Sequence, residues 1–347
     1  MSSRSLRVLA LVSVLSLVAV ACGGDEPAPP VQAAEEQTPS PEPDPTCPLT
    51  GETPEDPARL ERPAVAVKIE NSPQARPQSG LEDADLIFEE IVEGGITRFM
   101  AIYHCGATDK AGPVRSARFD DPKLALPFTD VLAFSGANAI VEAELEAQGL
   151  TILNEDTAGG ALFRDPPGSY DVHSLHANVI DLLKAAKKAK GKVPAAETFR
   201  FGDLADGAKK ARSVTVHFNA SNTIEYRWEG GAWKRYEAGT PFMTEAGAQI
   251  SVPNVLVMEV DVNNSTKIKD VAGNPSPDID LLNKGKALLF RDGKVLKGTW
   301  AMPDVGEVPV FQMKDGSPMV FAVGPIWVEL VPSPRGDVKG SFSFSKR

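Results

Sequence analysis

Basic excess is missing from this chain: 36 Lys and Arg stand against 47 Asp and Glu, for a net charge of -11. General nucleic-acid binding and electrostatic adhesion to anionic lipid both need the opposite sign. Cysteine is scarce, with three in 347 residues, and histidine nearly so, with four. No paired Cys-x-x-Cys and no His-Glu-x-x-His appears, so neither metal motif is written here, and no metal or cofactor is expected. There is no Gly-x-Ser-x-Gly elbow, no convincing Ser-x-x-Lys, no P-loop and no dinucleotide glycine motif. Acyl transfer, nucleotide hydrolysis and hydride transfer thus lose their usual signatures.

What is present begins with an exported N-terminus. Arg4 and Arg7 precede an apolar run, Val8 to Val20, too short for an ordinary membrane span. It ends in Ala19-Val20-Ala21-Cys22. This pattern resembles the lipobox of bacterial lipoproteins, which implies a leader over residues 1–21. Cleavage would expose Cys22 for a diacylglycerol thioether, with acyl chains such as palmitate. Each buried methylene contributes about 0.8 kcal/mol, so two or three chains hold a protein on the outer face of the cell membrane. An ordinary secretory signal is the alternative. Residues 22–46 carry the lipidated cysteine and a linker; Gly23 to Thr46 has seven prolines, six acidic residues and neither Lys, Arg nor aromatic. Such a segment cannot bury enough apolar area to fold. It is either a spacer or a passive tether.

Folded sequence starts near Cys47. Ala64 to Glu70 reads as a central strand, and Leu81 to Ala84 as one helical turn. Asp85 to Val92 and Ile96 to His104 read as strands joined at Glu93-Gly94-Gly95, with a helix over Leu81 to Val92 as the rival. Gly112 to Arg118 is a loop, and Asp121 to Leu126 starts a helix. Asp130 to Phe134 and Leu150 to Asn154 are strands flanking an amphipathic helix, Asn138 to Gln148. Phe163 to His173 is irregular, and Ser174 to Lys190 is a helix. Residues 47–200 are therefore an α/β domain with a mixed sheet. Over 201–336 short β runs recur between turn signals, among them Asn254 to Val262, Met319 to Val323 and Ile326 to Val331. That half is a mostly antiparallel β (α+β) domain, and 337–347 reads as a flexible tail.

Several blocks occur in fixed order: Cys47-Pro-Leu-Thr-Gly, Arg62-Pro-Ala-Val-Ala-Val, Ala75-Arg-Pro-Gln-Ser-Gly-Leu, Val92-Glu-Gly-Gly-Ile-Thr-Arg and Gly112-Pro-Val-Arg-Ser-Ala-Arg. Pro253 to Val257, Gly298-Thr-Trp and Gly324-Pro-Ile-Trp-Val-Glu continue the series. The chain resembles the YerB-like bacterial lipoproteins, a family of unknown function, over Cys47 to Pro332. The resemblance implies an exported lipoprotein with two domains, α/β first and β-rich second, and no reaction. At Val172-His173-Ser174-Leu175-His176 the chain departs from the family's Pro-His-Asn-Leu-Tyr; His173 is kept.

Arginine grips carboxylate or phosphate with a planar fork, so Arg98, Arg115 and Arg118 are the leading site candidates. Either they pair with Glu89, Glu90 and Glu93, or at least two face a cleft and bind an anionic group. Arg164 and His173 would then stand at its rim; the plainer reading is a histidine bonded to backbone. Glu89 and Glu93 would suit glycoside hydrolysis if held about 5–10 Å apart in a cleft. Cys47 and Cys105 are either bridged, which is worth about 4 kcal/mol for such a loop, or two free thiols. Trp228, Trp233, Trp300 and Trp327 are core residues or a platform for sugar rings. The expected role is a binding or accessory protein for a cell-wall glycan, peptide or anionic polymer, or for an envelope protein. The alternatives are a carboxylate-dependent wall hydrolase and an adaptor that binds protein partners through the β domain.

Overall fold

A computed structural model describes residues 44–346 other than 205 and 271. The expected leader, Cys22 and the linker as far as residue 43 lie outside the described residues.

The centre is built from β1 (Val65–Glu70), β2 (Leu86–Ile91) and β3 (Thr97–Tyr103), every residue of which is buried. Both faces are covered, which is why these strands read as continuous apolar runs rather than alternating ones. Strands β2 and β3 are antiparallel and turn at Glu93-Gly94-Gly95, as expected; the helical rival for this stretch is not formed. Gly94 and Gly95 take φ of 73° and 75°, a region that favours glycine. Leu81–Asp83 makes the single helical turn before β2.

The helix α1 (Asp121–Ala125) precedes β4 (Val131–Ala133), and α2 (Ala139–Ala147) leads to β5 (Thr151–Leu153). Strand β4 runs parallel to both β1 and β5, so the first half is a mixed sheet with few helices. Next come the hairpin β6 (Leu162–Arg164) and β7 (Leu175–Ala177), then α3 (Val179–Ala189). This corrects the helix expected over Ser174 to Lys190. Its first part is strand, because Asn178 takes extended backbone and caps α3 by accepting from the Asp181 amide at 3.0 Å.

The second half supplies β8 (Lys209–Lys210), β9 (Ser213–Asn219), β10 (Asn222–Glu229), β11 (Ala232–Glu237), β12 (Thr240–Pro241) and β13 (Ser251–Val252). It continues with β14 (Asn254–Lys269), β15 (Pro275–Asp280), β16 (Lys284–Arg291), β17 (Lys294–Ala301), β18 (Val310–Met313), β19 (Ile326–Pro332) and β20 (Ser341–Ser345). Pairing here is mostly antiparallel, and the expected strand at Met319 to Val323 is absent; Phe321 makes only an isolated bridge to Phe201. The segment expected as a flexible tail contains β20, which pairs with β9 through the alternating Ser-Phe-Ser-Phe-Ser pattern.

Both halves share one sheet among the described residues, in the order β18-β17-β16-β14-β19-β2-β3-β1-β4-β5. The joint is the parallel pair β19–β2. A second sheet, β12-β11-β10-β9-β20, covers one face: Trp233 meets Phe290 at 5.6 Å and Tyr226 meets Trp327 at 6.5 Å between ring centres. Trp233, Trp300 and Trp327 are thus core residues, and Trp228 packs on Trp233 at 5.4 Å. On the other face α3 lies over β1. Cys47 and Cys105 are joined by a disulfide that links positions 58 apart in sequence.

Candidate functional site

Strand alternation decides which charges meet. Glu70, Arg98 and Glu90 are direct lateral partners across β1, β3 and β2, so their side chains lie in one row on one face. Glu89 points to the opposite face.

On that opposite face Glu89 is sealed under the second sheet. Its Oε2 lies 2.8 Å from Nη1 of Arg235, and Thr97 donates to its Oε1 at 2.6 Å. Arg235 is fully buried, pairs also with Glu237 at 3.2 Å and Glu329 at 3.3 Å, and stands over the rings of Phe242 and Trp327. Burial works against its charge, but Glu89, Tyr226, Glu237 and Glu329 overcome it and hold its pKa well above the ordinary value. Burial raises the pKa of Glu89, opposed by Arg235. Four groups from both halves lock into one network. Glu89 is therefore a structural partner of Arg235 and not part of the arginine cleft, contrary to the expectation for it.

The row on the first face opens into a cleft of about 500 Å³. Arg98, Arg115, Arg118 and Glu93 all line it, so the structure brings these four expected residues together. The loop holding Arg115 and Arg118 is stitched down on both sides. Arg115 N–H donates to the Lys68 carbonyl at 2.9 Å, Ala117 N–H to Gly136 at 3.0 Å and Val114 N–H to Leu175 at 2.6 Å. The far wall starts α2, capped by Asn138, whose side chain accepts from the Ile140 amide at 2.9 Å. A helix N-terminus adds partial positive charge there. Ile268, Lys269, Asp270 and Ser276, from the β14–β15 hairpin, complete the rim.

The three guanidiniums differ in what already holds them. Arg118 donates from Nε to Glu93 at 2.7 Å, and Ser276 also donates to Glu93. Arg115 lies 3.0 Å from Glu70, which also takes Nδ1 of His173 at 2.9 Å. Arg98 has no carboxylate within ion-pair distance among the described residues. It is 3% exposed; Nη1 donates to the Ser116 carbonyl at 2.7 Å and Nε has no partner. Burial, then Arg118 and Arg115, push its pKa down to about 9, with Glu93 and Glu90 opposing. A buried arginine without a direct ion-pair partner among the described residues, beside two others that outweigh the more distant Glu93 and Glu90, is a site short of an anion.

The remaining expected residues sit nearby or elsewhere. His173 reaches the cleft only through Glu70 and Arg115. Arg164 pairs with Glu155 at 2.9 Å and is bonded to Ser174, so it does not line the cleft. His176 is bonded to the Ser174 carbonyl at 3.0 Å. Sequence reading did not find Glu70, Lys269, Asp270 or Ser276. Glu70 was available as the last residue of a strand leading to the loop; the hairpin residues carried no local signal.

A family model described as a protein of unknown function (DUF3048), N-terminal domain, matches residues 49–192, and its C-terminal counterpart matches 214–328. The chain belongs to this family of two-domain proteins. It is similar to a Bacillus subtilis (strain 168) protein named "Putative lipoprotein YerB", with 33% identity over 296 residues, covering 82% of this chain and 86% of that one. The crystal structure of YerB protein from Bacillus subtilis superposes with a TM-score of 0.70 at 30% identity, covering 86% of this chain and 99% of that one. The YerB-like resemblance read from the sequence blocks is thereby shown.

Proposed function

We propose that this protein is an outward-facing envelope lipoprotein, held on the bacterial membrane through lipidated Cys22, that binds an anionic group of a cell-wall component in the arginine cleft. The observation that carries the binding half is Arg98: buried, without a direct ion-pair partner among the described residues, and flanked by Arg115 and Arg118. The anchoring half rests on the Ala-Val-Ala-Cys22 pattern and on the lipoprotein name of the relative. The paired-carboxylate hydrolase reading draws no support from the geometry, since Glu89 lies under Arg235 on the other face of the sheet and Glu93 is engaged by Arg118.

Co-sedimentation of the full chain with purified cell-wall fragments tests the reading. Binding by the wild type and its loss in the Arg115→Ala/Arg118→Ala variant is the expected result. Equal binding by both would remove the cleft from the function. Release of soluble fragments by the wild type would restore the enzyme reading.

A further inference from the structure

A second concavity, of about 910 Å³, lies away from the arginine cleft, between β16–β17 of the large sheet and β20 of the smaller one. Its floor is apolar, from Leu288, Phe342 and Phe344; its rim carries Lys286, Lys297 and Lys314. Glu259, the one carboxylate among the described lining residues, already meets Lys286 at 3.0 Å and Arg335 at 3.4 Å. Lys297 stands 4.7 Å from the centre of the Phe344 ring, and neither it nor Lys314 has an ion-pair partner among the described residues. On a chain of net charge -11 this is a local reversal of sign.

Four consecutive residues of β20, Ser341 to Phe344, border the cavity. Successive side chains of a strand point to opposite faces, so a cavity that touches both parities meets the strand from its side. The other side of β20 is taken by β9, its hydrogen-bonded neighbour, and β20 ends the order of that sheet. Antiparallel strands direct alternate backbone N–H and C=O groups to each side, so an end strand offers a template for one more.

We propose that this groove binds an extended, acidic peptide segment of an envelope partner protein by strand addition to β20. Backbone bonds to β20 supply affinity, alternate apolar side chains pack on Phe342, Phe344 and Leu288, and carboxylates meet Lys297 and Lys314. The stretch of β20 that borders the cavity, Ser341 to Phe344, is without a second paired strand among the described residues and spans roughly 13 Å of extended chain. This proposal is independent of the arginine cleft.

The test uses the full chain in detergent micelles and a fluorescent heptapeptide of alternating Glu and Val, read by anisotropy. Saturable binding is expected, weakened at least tenfold by Lys297→Glu/Lys314→Glu. A peptide N-methylated at every second residue, which lacks those backbone donors, should bind at least tenfold more weakly, as should an alternating Lys-Val peptide. Hydrogen exchange should slow within 341–344 when the Glu-Val peptide is bound. No binding of that peptide, or equal binding of the N-methylated or Lys-Val peptide, overturns the proposal. So does capture of phosphatidylglycerol vesicles through the same two lysines without peptide binding, which marks a membrane-facing surface. Unchanged co-sedimentation of the lysine variant with wall fragments shows that it has folded and separates this result from the fate of the cleft.

Discussion

Replacing Arg98 by methionine should make the protein more stable and unable to bind its anion. The folded environment lowers the Arg98 pKa from its ordinary value to about 9. At about 1.4 kcal/mol per unit, that shift corresponds to a penalty of about 5 kcal/mol for holding the charged form in the fold. The sign follows from linkage. Below pH 9 the guanidinium is charged in folded and unfolded chains alike, so the whole penalty applies at neutral pH. It is relieved only as pH rises past about 9 toward the unfolded value. Methionine keeps an unbranched apolar stem but loses the charged hydrogen bond to the Ser116 carbonyl, worth about 1.5–3 kcal/mol. A net gain of about 2–3.5 kcal/mol remains, read as a higher urea midpoint at unchanged slope. Arg235→Met is the contrast: it strands Glu89, Glu237 and Glu329, and should cost about 3–5 kcal/mol. If Arg98→Met lowers stability by 1 kcal/mol or more, or leaves wall binding intact, Arg98 is an ordinary structural residue and the argument for an anion site fails.

Glu93→Gln removes the carboxylate that occupies Arg118, so affinity for an anionic wall fragment should rise several-fold in a binding isotherm; a fall would show that Glu93 contacts the ligand productively. Stability should decline as pH rises from about 5 to 7.5. Burial, against the pull of Lys68, raises Glu90 to about 7, and burial raises Asp85 and Asp120 to about 6, so the folded chain holds protons that the unfolded chain has released. His104, lowered to about 4 by burial and Arg62, works the other way below its unfolded value. Urea midpoints across this range should show the decline, and Glu90→Gln should remove the part above pH 6; a midpoint that rises toward pH 7.5 contradicts it. Breaking the disulfide by Cys47→Ala/Cys105→Ala should cost about 4 kcal/mol of chain entropy, seen as a lower thermal midpoint, and an unchanged midpoint would show that the reduced fold is equally constrained.

The sequence by itself determined the parts of this protein that depend on neighbours along the chain. The β runs and Gly94-Gly95 placed β1, β2 and β3 within a residue or two, because pleat and turn chemistry are local. Ordered short blocks marked the family, and three arginines near one loop marked the cleft. Even the parting of Glu89 from Glu90 was legible, since adjacent residues of a strand must face opposite ways. The break at Asn178 was harder, because a helical pattern runs through it and only the cap geometry stops it. What only tertiary structure decided is which charge finds which partner. Lys269 and Ser276 reach the cleft from more than 150 residues away, and Arg235 claims Glu89 from a separate sheet. Arg118 and Arg115 find carboxylates, while Arg98, on β3, has none within ion-pair distance among the described residues. Ion pairing depends on distance and burial in the folded chain, and neither is encoded in spacing along it.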